Sequence, residues 1–245
     1  MRKILFYIVM LPVFLIAQSN GKSYSNQNKN TYELSIGSGF GSYLMPNLKD
    51  LQNTIIRNSE IPLLKTTSFP SYFNYSLKFG YKKDNGYEGF TGGFMSTGAR
   101  SSLSDYSGYY VTDINCVAIH FGYYFRKVFA NYQLLNRPVE MGYMYNISSI
   151  YSFVTLTDNL QLYGYGDVTN ENYTFNSIGI YTEPMLYADY MFTKYIGLEL
   201  CAGAGLSISS PLYYESIKND VVIYDKNRFA NWSGYRLSIG LISRF

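Results

Sequence analysis

The sequence predicts an all-β protein, a closed antiparallel up-and-down transmembrane β-barrel of eight strands with a short helix in the first extracellular loop. Three observations lead to it. The 245 residues include 28 Tyr and 16 Phe, while charged residues make up only 15%, against roughly 25% in soluble domains. Apolar side chains alternate with small or polar ones at a period of two, which is typical of β-strands. Long and short connections also alternate, as they do in membrane barrels.

The N-terminus has the pattern of a secretory signal peptide. Two basic residues precede the apolar run Ile4–Ile16, and the chain becomes polar from Gln18 onward. This run is shorter than the roughly 20 residues that a membrane-spanning helix needs. We therefore expect a signal peptide over 1–17 and a single barrel domain over 18–245.

The clearest strand is the segment 196–209, in which Leu, Ile and Ala alternate with Gly, Ser, Cys and Glu. The last residues of the chain repeat this arrangement. The Gly-rich segment 87–97 completes the set, although its pattern leaves the orientation of Phe90 and Phe94 open. The predicted strands cover 32–40, 73–81, 87–97, 117–125, 139–147, 178–190, 196–209 and 235–245.

The composition of the polar face separates a membrane barrel from a soluble β-sandwich. A solvated sandwich face would carry many Lys, Glu and Thr residues. Here the polar face holds mostly Gly and Ser with sparse charges, which suits the narrow lumen of a barrel whose apolar face meets lipid. Tyrosines near the strand ends are expected to form interfacial aromatic girdles. They are Tyr32, Tyr81, Tyr87, Tyr190, Tyr195 and Tyr235.

The connections divide into two classes that predict the two ends of the barrel. Those over 44–68, 96–107, 154–172 and 210–233 are long and are assigned to the extracellular side; those over 82–86, 127–137 and 192–194 are shorter. The first long connection contains Pro46 and Asn47, and we expect Asn47 to cap a short helix. In this helix Leu48, Leu51 and Ile55 share one face. Packing of the helix on the barrel rim is favoured over a mobile lid.

The final strand resembles the C-terminal strand of small bacterial outer-membrane β-barrel proteins, which end in an aromatic residue. Phe245 is the last residue, and Ser238 and Gly240 match the pattern, whereas Ser243 departs from it. The resemblance implies that the chain lies in outer-membrane lipid. It also implies that Ser238, Gly240 and Phe245 form a signal read by the barrel-assembly machinery.

Charged side chains on the inward face are the main candidate site. A paired network that fills the lumen is favoured over a solute-binding site, because an eight-stranded barrel has little room beyond its own side chains. His120, Glu183 and Arg236 lie at similar predicted depth, and we expect Glu183 and Arg236 to form an ion pair. Pro184 predicts a β-bulge beside Glu183. The predicted polar lumen residues are Glu33, Lys78, His120, Glu140, Glu183, Asp189, Glu199, Arg236 and Arg244.

No constellation predicts catalysis. The chain has one histidine, and Cys116 and Cys201 are far apart in sequence, so neither a metal site nor a disulfide framework is indicated. No Gly-rich phosphate loop is present, and no cofactor is expected. The 20 basic residues are scattered among 17 acidic ones, which argues against nucleic acid as a partner.

Three roles remain open at this point. The favoured one is a non-enzymatic barrel with a side-chain-filled lumen, whose long extracellular loops serve envelope integrity or bind a surface ligand. The alternatives are a barrel enzyme that acts on lipid or peptide and a narrow solute channel.

Overall fold

The computed structural model describes residues 32–59, 61–164, 166–214, 222–223 and 226–245, so the predicted signal peptide lies outside the described residues. Eight long strands form the wall of the molecule. In chain order they are β1 (Tyr32–Gly41), β2 (Tyr72–Lys83), β3 (Gly86–Asp105), β4 (Gly108–Leu134), β5 (Arg137–Leu162), β6 (Gly166–Met191), β7 (Ile196–Ser209) and β8 (Gly234–Arg244).

These strands close into a ring. Each of them pairs antiparallel with its sequence neighbours, and β8 pairs back onto β1 with Gly37 opposite Gly240. Closure removes the exposed edges that an open sheet would present. The predicted fold class, a closed antiparallel barrel of eight strands with a short helix in the first connection, is therefore confirmed, including the strand from the Gly-rich segment 87–97.

The two ends of the barrel differ. One end, called the turn end, carries the start of β1, the end of β8 and the short connections that follow β2, β4 and β6. The opposite end, called the loop end, carries helix α1 (Pro46–Asn58) and four short strands. Leu64–Ser68 pairs with β3, Tyr213–Tyr214 pairs with β6, and Val222–Ile223 pairs with Lys226–Asn227.

Helix α1 starts differently from the prediction. It begins at Pro46, and the residue at its N-cap is Met45, which has a left-handed backbone (φ 42) and gives no side-chain cap. The prediction that Asn47 caps the helix is therefore wrong. Met45 is fully buried and its backbone N–H donates to Asn231 O (3.4 Å). Tertiary packing, and not a capping side chain, thus sets the start of the helix.

Three strands are much longer than predicted. Strand β4 has 27 residues, and β5 and β6 have 26 each. A strand of this length spans about 85 Å. A strand that crosses the roughly 25 Å apolar band of a membrane barrel at a tilt of about 45° is much shorter than this. The segments 96–107 and 154–172 were predicted as long loops, but they are mostly paired strand that ends in tight hairpins.

Apolar side chains of all eight strands point out of the barrel. This outward set, called the apolar belt, includes Ile36, Phe40, Leu77, Phe79, Phe90, Phe94, Ile119, Phe121, Tyr143, Ile147, Ile180, Leu186, Leu200, Leu206, Leu237, Ile239 and Leu241, all exposed. In the described part of the chain, no helix is both long enough and apolar enough to span a membrane.

Two local predictions are wrong. Tyr87, expected in an aromatic girdle, points into the barrel and is buried. Pro184 does not create a bulge, because the pairing of β6 with β7 skips Glu183 and Pro184 and resumes in the same register. A proline removes only one ladder donor, and here the ladder tolerates that loss. Register shifts lie instead between Val128 and Ala130, between Leu160 and Gln161 and, in the short strand Leu64–Ser68, between Lys65 and Thr67.

Candidate functional site

The turn-end half of the lumen is organised around the guanidinium of Arg126, from β4. Its Nη1 lies 3.0 Å from Glu33 Oε1 and 2.9 Å from Glu199 Oε2, and its Nη2 pairs with Asp189. The ring of Tyr187 stacks on this guanidinium at 3.7 Å. One cation therefore binds carboxylates from β1, β6 and β7 together across the interior.

Arg244, from the end of β8, shares two of these carboxylates, Glu33 and Asp189, and adds Glu140 from β5. It donates to Glu33 (3.1 Å), Glu140 (2.5 Å) and Asp189 (2.5 Å). Lys78 pairs with Glu199, which also accepts a hydrogen bond from Ser35 Oγ (3.0 Å). We call the group the ionic cluster; it consists of Glu33, Lys78, Arg126, Glu140, Asp189, Glu199 and Arg244.

The ionic cluster closes the turn end. All of its side chains are buried except Glu140, which is half-buried. Four carboxylates face three cations, and the ion pairs cross the lumen from wall to wall. Buried charges of this kind persist only when each has partners. The ionic cluster therefore links the strands to one another across the lumen.

A second polar group lies in the middle of the lumen. Arg236 donates to the backbone carbonyls of Ser42 (2.7 Å) and Trp232 (2.6 Å). Its Nε donates to Tyr181 Oη (3.2 Å), and this hydroxyl in turn donates to Glu183 Oε1 (2.9 Å). The direct distance from Arg236 Nε to Glu183 is 3.9 Å. Arg236 and Glu183, which were expected to form an ion pair, are therefore connected chiefly through hydrogen bonds to the hydroxyl of Tyr181.

His120 belongs to this middle group through a ring contact with Tyr181 (5.1 Å between centroids). Beside it lies an enclosed polar cavity of about 30 Å³. Among its described lining residues, Thr91 Oγ1, His120 Nδ1 and Asn146 Oδ1 are buried and make no hydrogen bond to protein. The cavity has the polarity and the room for a water molecule, but not for a substrate.

The loop-end half of the lumen is filled by apolar side chains. Helix α1 inserts Leu48, Leu51 and Ile55 into the barrel mouth, where they join a cluster that includes Trp232. The indole of Trp232 donates to Ser152 Oγ (2.9 Å). We call this region the apolar plug; its members also include Tyr43, Met45, Leu63, Phe69, Met95, Ile114, Ile150, Val154, Phe175, Tyr181 and Leu212. The helix therefore packs against the mouth of the barrel through one face, and its opposite face is at least partly exposed.

Polar contacts hold the plug in place. Gln52 Nε2 donates to the backbone oxygens of Thr67 (2.7 Å) and Arg100 (3.2 Å). On the outer side of α1, Asp50 accepts from Arg228 (2.5 Å) and Lys226 (3.3 Å). Both hydrogen bonds lower the pKa of the Asp50 carboxyl below its usual value, and the one from Arg228 has the larger effect.

All nine charged or histidine side chains predicted for the lumen face inward, but they form two groups instead of one. Glu33, Lys78, Glu140, Asp189, Glu199 and Arg244 belong to the ionic cluster, whereas His120, Glu183 and Arg236 lie in the middle group. Arg126 was missed, although it follows the inward positions His120, Gly122 and Tyr124 at the same period of two.

The three residues of the predicted assembly signal lie at the β8 wall. Ser238 and Gly240 face the lumen, where Gly240 packs against Gly37. Phe245 lies outside, half-exposed, with its ring 6.1 Å from that of Tyr32.

The histidine and the two thiols of the lumen are buried. His120 is 6% exposed and is enclosed between the ionic cluster and the apolar plug. Within the described ranges, no three His, Cys, Asp or Glu side chains are grouped to bind a metal ion. Cys116 and Cys201 are buried free thiols.

Comparisons with known proteins give a general likeness only. No protein-family model and no curated protein sequence matches the chain. Among solved structures it is similar to the attachment invasion locus protein Ail of Yersinia pestis (12% identity, 88% of this chain and 99% of Ail, TM-score 0.34). It is also similar to Neisserial surface protein A (13%, 87% and 96%, TM-score 0.36) and to the outer membrane protease OmpT of Escherichia coli (11%, 91% and 99%, TM-score 0.26).

Proposed function

We propose that this protein is a closed, non-enzymatic outer-membrane barrel that anchors an extension of its wall at the cell surface, where the extension contacts a surface partner. The extension consists of the paired loop-end parts of β3 to β6 beyond the apolar belt. The observation that carries the proposal is the double closure of the lumen. The ionic cluster fills the turn end and the apolar plug fills the loop end. A barrel closed in two independent ways is suited to anchoring, not to transport.

The apolar belt supports a membrane location. Exposed apolar area of this extent is rare on soluble monomers and marks contact with lipid or with another protein. Aromatic side chains border the belt: Tyr32, Tyr81 and Tyr195 at the turn end and Tyr235 at the loop end, each about half-exposed or more. Amphipathic rings in these positions are typical of membrane interfaces.

The two alternative roles have less support. A lipid- or peptide-modifying enzyme would need a nucleophile or base that substrate can reach, and His120 is enclosed. A solute channel would need a continuous aqueous lumen, whereas the enclosed middle cavity measures only about 30 Å³.

Membrane fractionation combined with N-terminal sequencing tests the location. We expect the mature chain in the outer membrane, beginning near Gln18.

Orientation is tested by Tyr106→Cys, at a fully exposed hairpin tip of the loop end, and by Gln133→Cys at the turn end. A membrane-impermeant maleimide should label only Tyr106→Cys on intact cells. Recovery of a soluble periplasmic protein, or labelling of Gln133→Cys alone, would contradict the proposal.

The resemblance of the last strand to outer-membrane barrels adds a prediction about assembly. Deleting Phe245 should greatly reduce the amount of folded, heat-modifiable protein, whereas Ser238→Ala should leave that amount near the wild-type level. A normal amount of folded protein after deletion of Phe245 would refute the assembly signal.

A further inference from the structure

The barrel wall continues beyond the apolar belt at the loop end, and its outer face changes character there. Strands β3 to β6 remain paired, so their outward side chains form regular rows across the sheet. We call this surface the polar face. Its members are Arg100, Ser102, Ser104, Tyr109, Val111, Asp113, Asn115, Thr155, Thr157, Asn159, Gln161, Asn170, Asn172 and Thr174.

The polar face carries no net charge. Its two charged residues are Arg100 and Asp113, which neighbour each other across β3 and β4 and bind bidentately (2.7 Å and 2.7 Å). The remaining members are mainly hydroxyl and amide side chains. Solvated surfaces commonly carry about 25–35% charged residues of both signs, so a broad sheet face of neutral polar groups is unusual.

The rows place hydroxyl and amide groups side by side. Asn115, Thr155 and Thr174 occupy neighbouring positions on β4, β5 and β6, and Thr157 lies beside Asn172 in the next row. The direct contacts inside these rows are long, at 3.5 Å for Thr155–Thr174 and 3.3 Å for Thr157–Asn172. These side chains therefore retain donor and acceptor capacity for a ligand.

The polar face is continuous with the apolar belt. Along β5 the outward position passes from Phe153 to Thr155. Along β6 it passes from Ile178 through Asn176, which is buried where Tyr213 pairs with this strand, to the exposed Thr174. This outward face begins where the apolar side chains end. It is therefore directed toward the surrounding membrane, at the height of the lipid headgroups.

We propose that the polar face binds the sugar headgroups of glycolipids in the membrane leaflet that surrounds the loop end. This inference rests on the proposed membrane location and names a partner for the extension. Sugar hydroxyls donate and accept hydrogen bonds without formal charge, as the Thr, Asn and Gln side chains of the face do. The lateral direction of the face selects a headgroup of the same membrane over a free polysaccharide.

Other partners match the polar face less well. Anionic headgroups would need cations that are free to pair, and on this face Arg100 is engaged by Asp113. A docked protein would need a buried apolar or aromatic centre, and this face offers only Val111 and Tyr109 among its polar members.

The test uses the full-length protein in nanodiscs of phosphatidylcholine that contain a minority of uncharged digalactosyl diacylglycerol. Native mass spectrometry then counts the lipids that stay bound. We expect the wild type to retain the digalactosyl lipid about threefold over phosphatidylcholine, the scale of one net hydrogen bond. The variant Thr155→Val, Thr157→Val and Asn172→Leu should lose this preference. These positions lie on the surface, so the substitutions should change the free energy of unfolding only slightly and the variant should fold.

The control variant, Asn131→Leu with Gln133→Leu, removes exposed amides at the turn end and should retain the wild-type preference. Equal retention of both lipids by the wild type would overturn the proposal, as would an unchanged preference in the loop-end variant. Competition by soluble galactosyl oligosaccharide would show that the polar face binds free saccharide instead. Stronger retention of phosphatidylglycerol would show that it binds anionic headgroups through charge. None of these results would change the outcome of the membrane fractionation or of the surface labelling. Those two experiments therefore test the proposed function independently of the glycolipid proposal.

Discussion

The two halves of the lumen are closed by opposite chemistry inside one continuous wall. At the turn end, seven charged side chains from the strands meet in the ionic cluster. At the loop end, apolar residues of the strands share the closure with residues outside the wall, chiefly those of helix α1 and Trp232. The strands therefore cross the lumen by themselves where their inward side chains are long and charged, and elsewhere they need a partner segment.

The wall explains where each closure can form. Near the turn end the inward positions of β1 and β7 include Glu33 and Glu199, which extend toward Arg126 from across the lumen. Toward the loop end the inward residues of β3 and β4 include small ones, such as Ala99 and Ala118. Small inward residues leave a space that a helix can fill, and close packing of that space stabilises the plug.

The largest effect is expected from Arg126→Met. Removing the shared cation leaves Glu33, Asp189 and Glu199 buried with fewer partners, which costs on the order of 3 to 5 kcal/mol of unfolding free energy. Reversible urea unfolding in detergent or lipid measures it. The matched control is Arg100→Met, which breaks an exposed ion pair worth about 0 to 1 kcal/mol. Equal losses in the two variants would mean that the ionic cluster does not hold the turn end together.

A smaller and more local effect is expected from Leu51→Ala in α1. Loss of a buried leucine costs about 2 to 3 kcal/mol where the site relaxes partly. Hydrogen exchange should accelerate in α1 and around Trp232, while the amides near Arg126 remain protected, because the two closures share no side chain. Accelerated exchange throughout the barrel would show that the closures are coupled.

The middle group should show weak coupling between Glu183 and Arg236. Each has its own partners, since Arg236 donates to backbone carbonyls and Glu183 accepts from Tyr181 and Asn146. A double-mutant cycle of Glu183→Gln and Arg236→Met should therefore give a coupling energy of at most about 1 kcal/mol. Strong rescue of the Arg236→Met loss by Glu183→Gln would restore the direct ion pair as the main interaction.

The smallest effect concerns pH at the loop end. Because Arg228 and Lys226 lower the pKa of Asp50, their contribution is present above the usual carboxyl range, about pH 4, and is lost as pH falls through the lowered value. The amides of α1, corrected for intrinsic exchange, should lose protection in that acidic window. Asp50→Asn should abolish this pH dependence, and an identical acid response in Asp50→Asn would exclude Asp50 as the group responsible.

The sequence predicted the barrel well because lipid and lumen impose opposite demands on alternate residues. This signal located all eight strands, and it placed Glu33, Lys78 and Arg236 on the inward face. It failed beyond the apolar belt, where segments such as 154–162 are exposed to water on the outside and carry polar residues. Without a lipid-facing side there is no strong alternation, so these strands were predicted as loops.

The tertiary arrangement of the site was harder to predict. Arg126 was missed because the strand pattern was followed only as far as Phe125, although the next inward position carries the central cation. The sequence predicted the packing face of α1, with Leu48, Leu51 and Ile55, but not the residues that this face contacts, because they come from distant parts of the chain. The left-handed backbone at Met45, which starts the helix there, depends on contacts across the plug.

The closure of the lumen can be measured by single-channel recording in planar bilayers. The wild type should show no steady ion conductance. A variant in which a Gly-Ser linker replaces Pro46–Asn58 should also remain closed, because the ionic cluster still fills the turn end. Steady conductance by the wild type would show that the lumen is open, and steady conductance by the linker variant would show that the ionic cluster does not close the turn end.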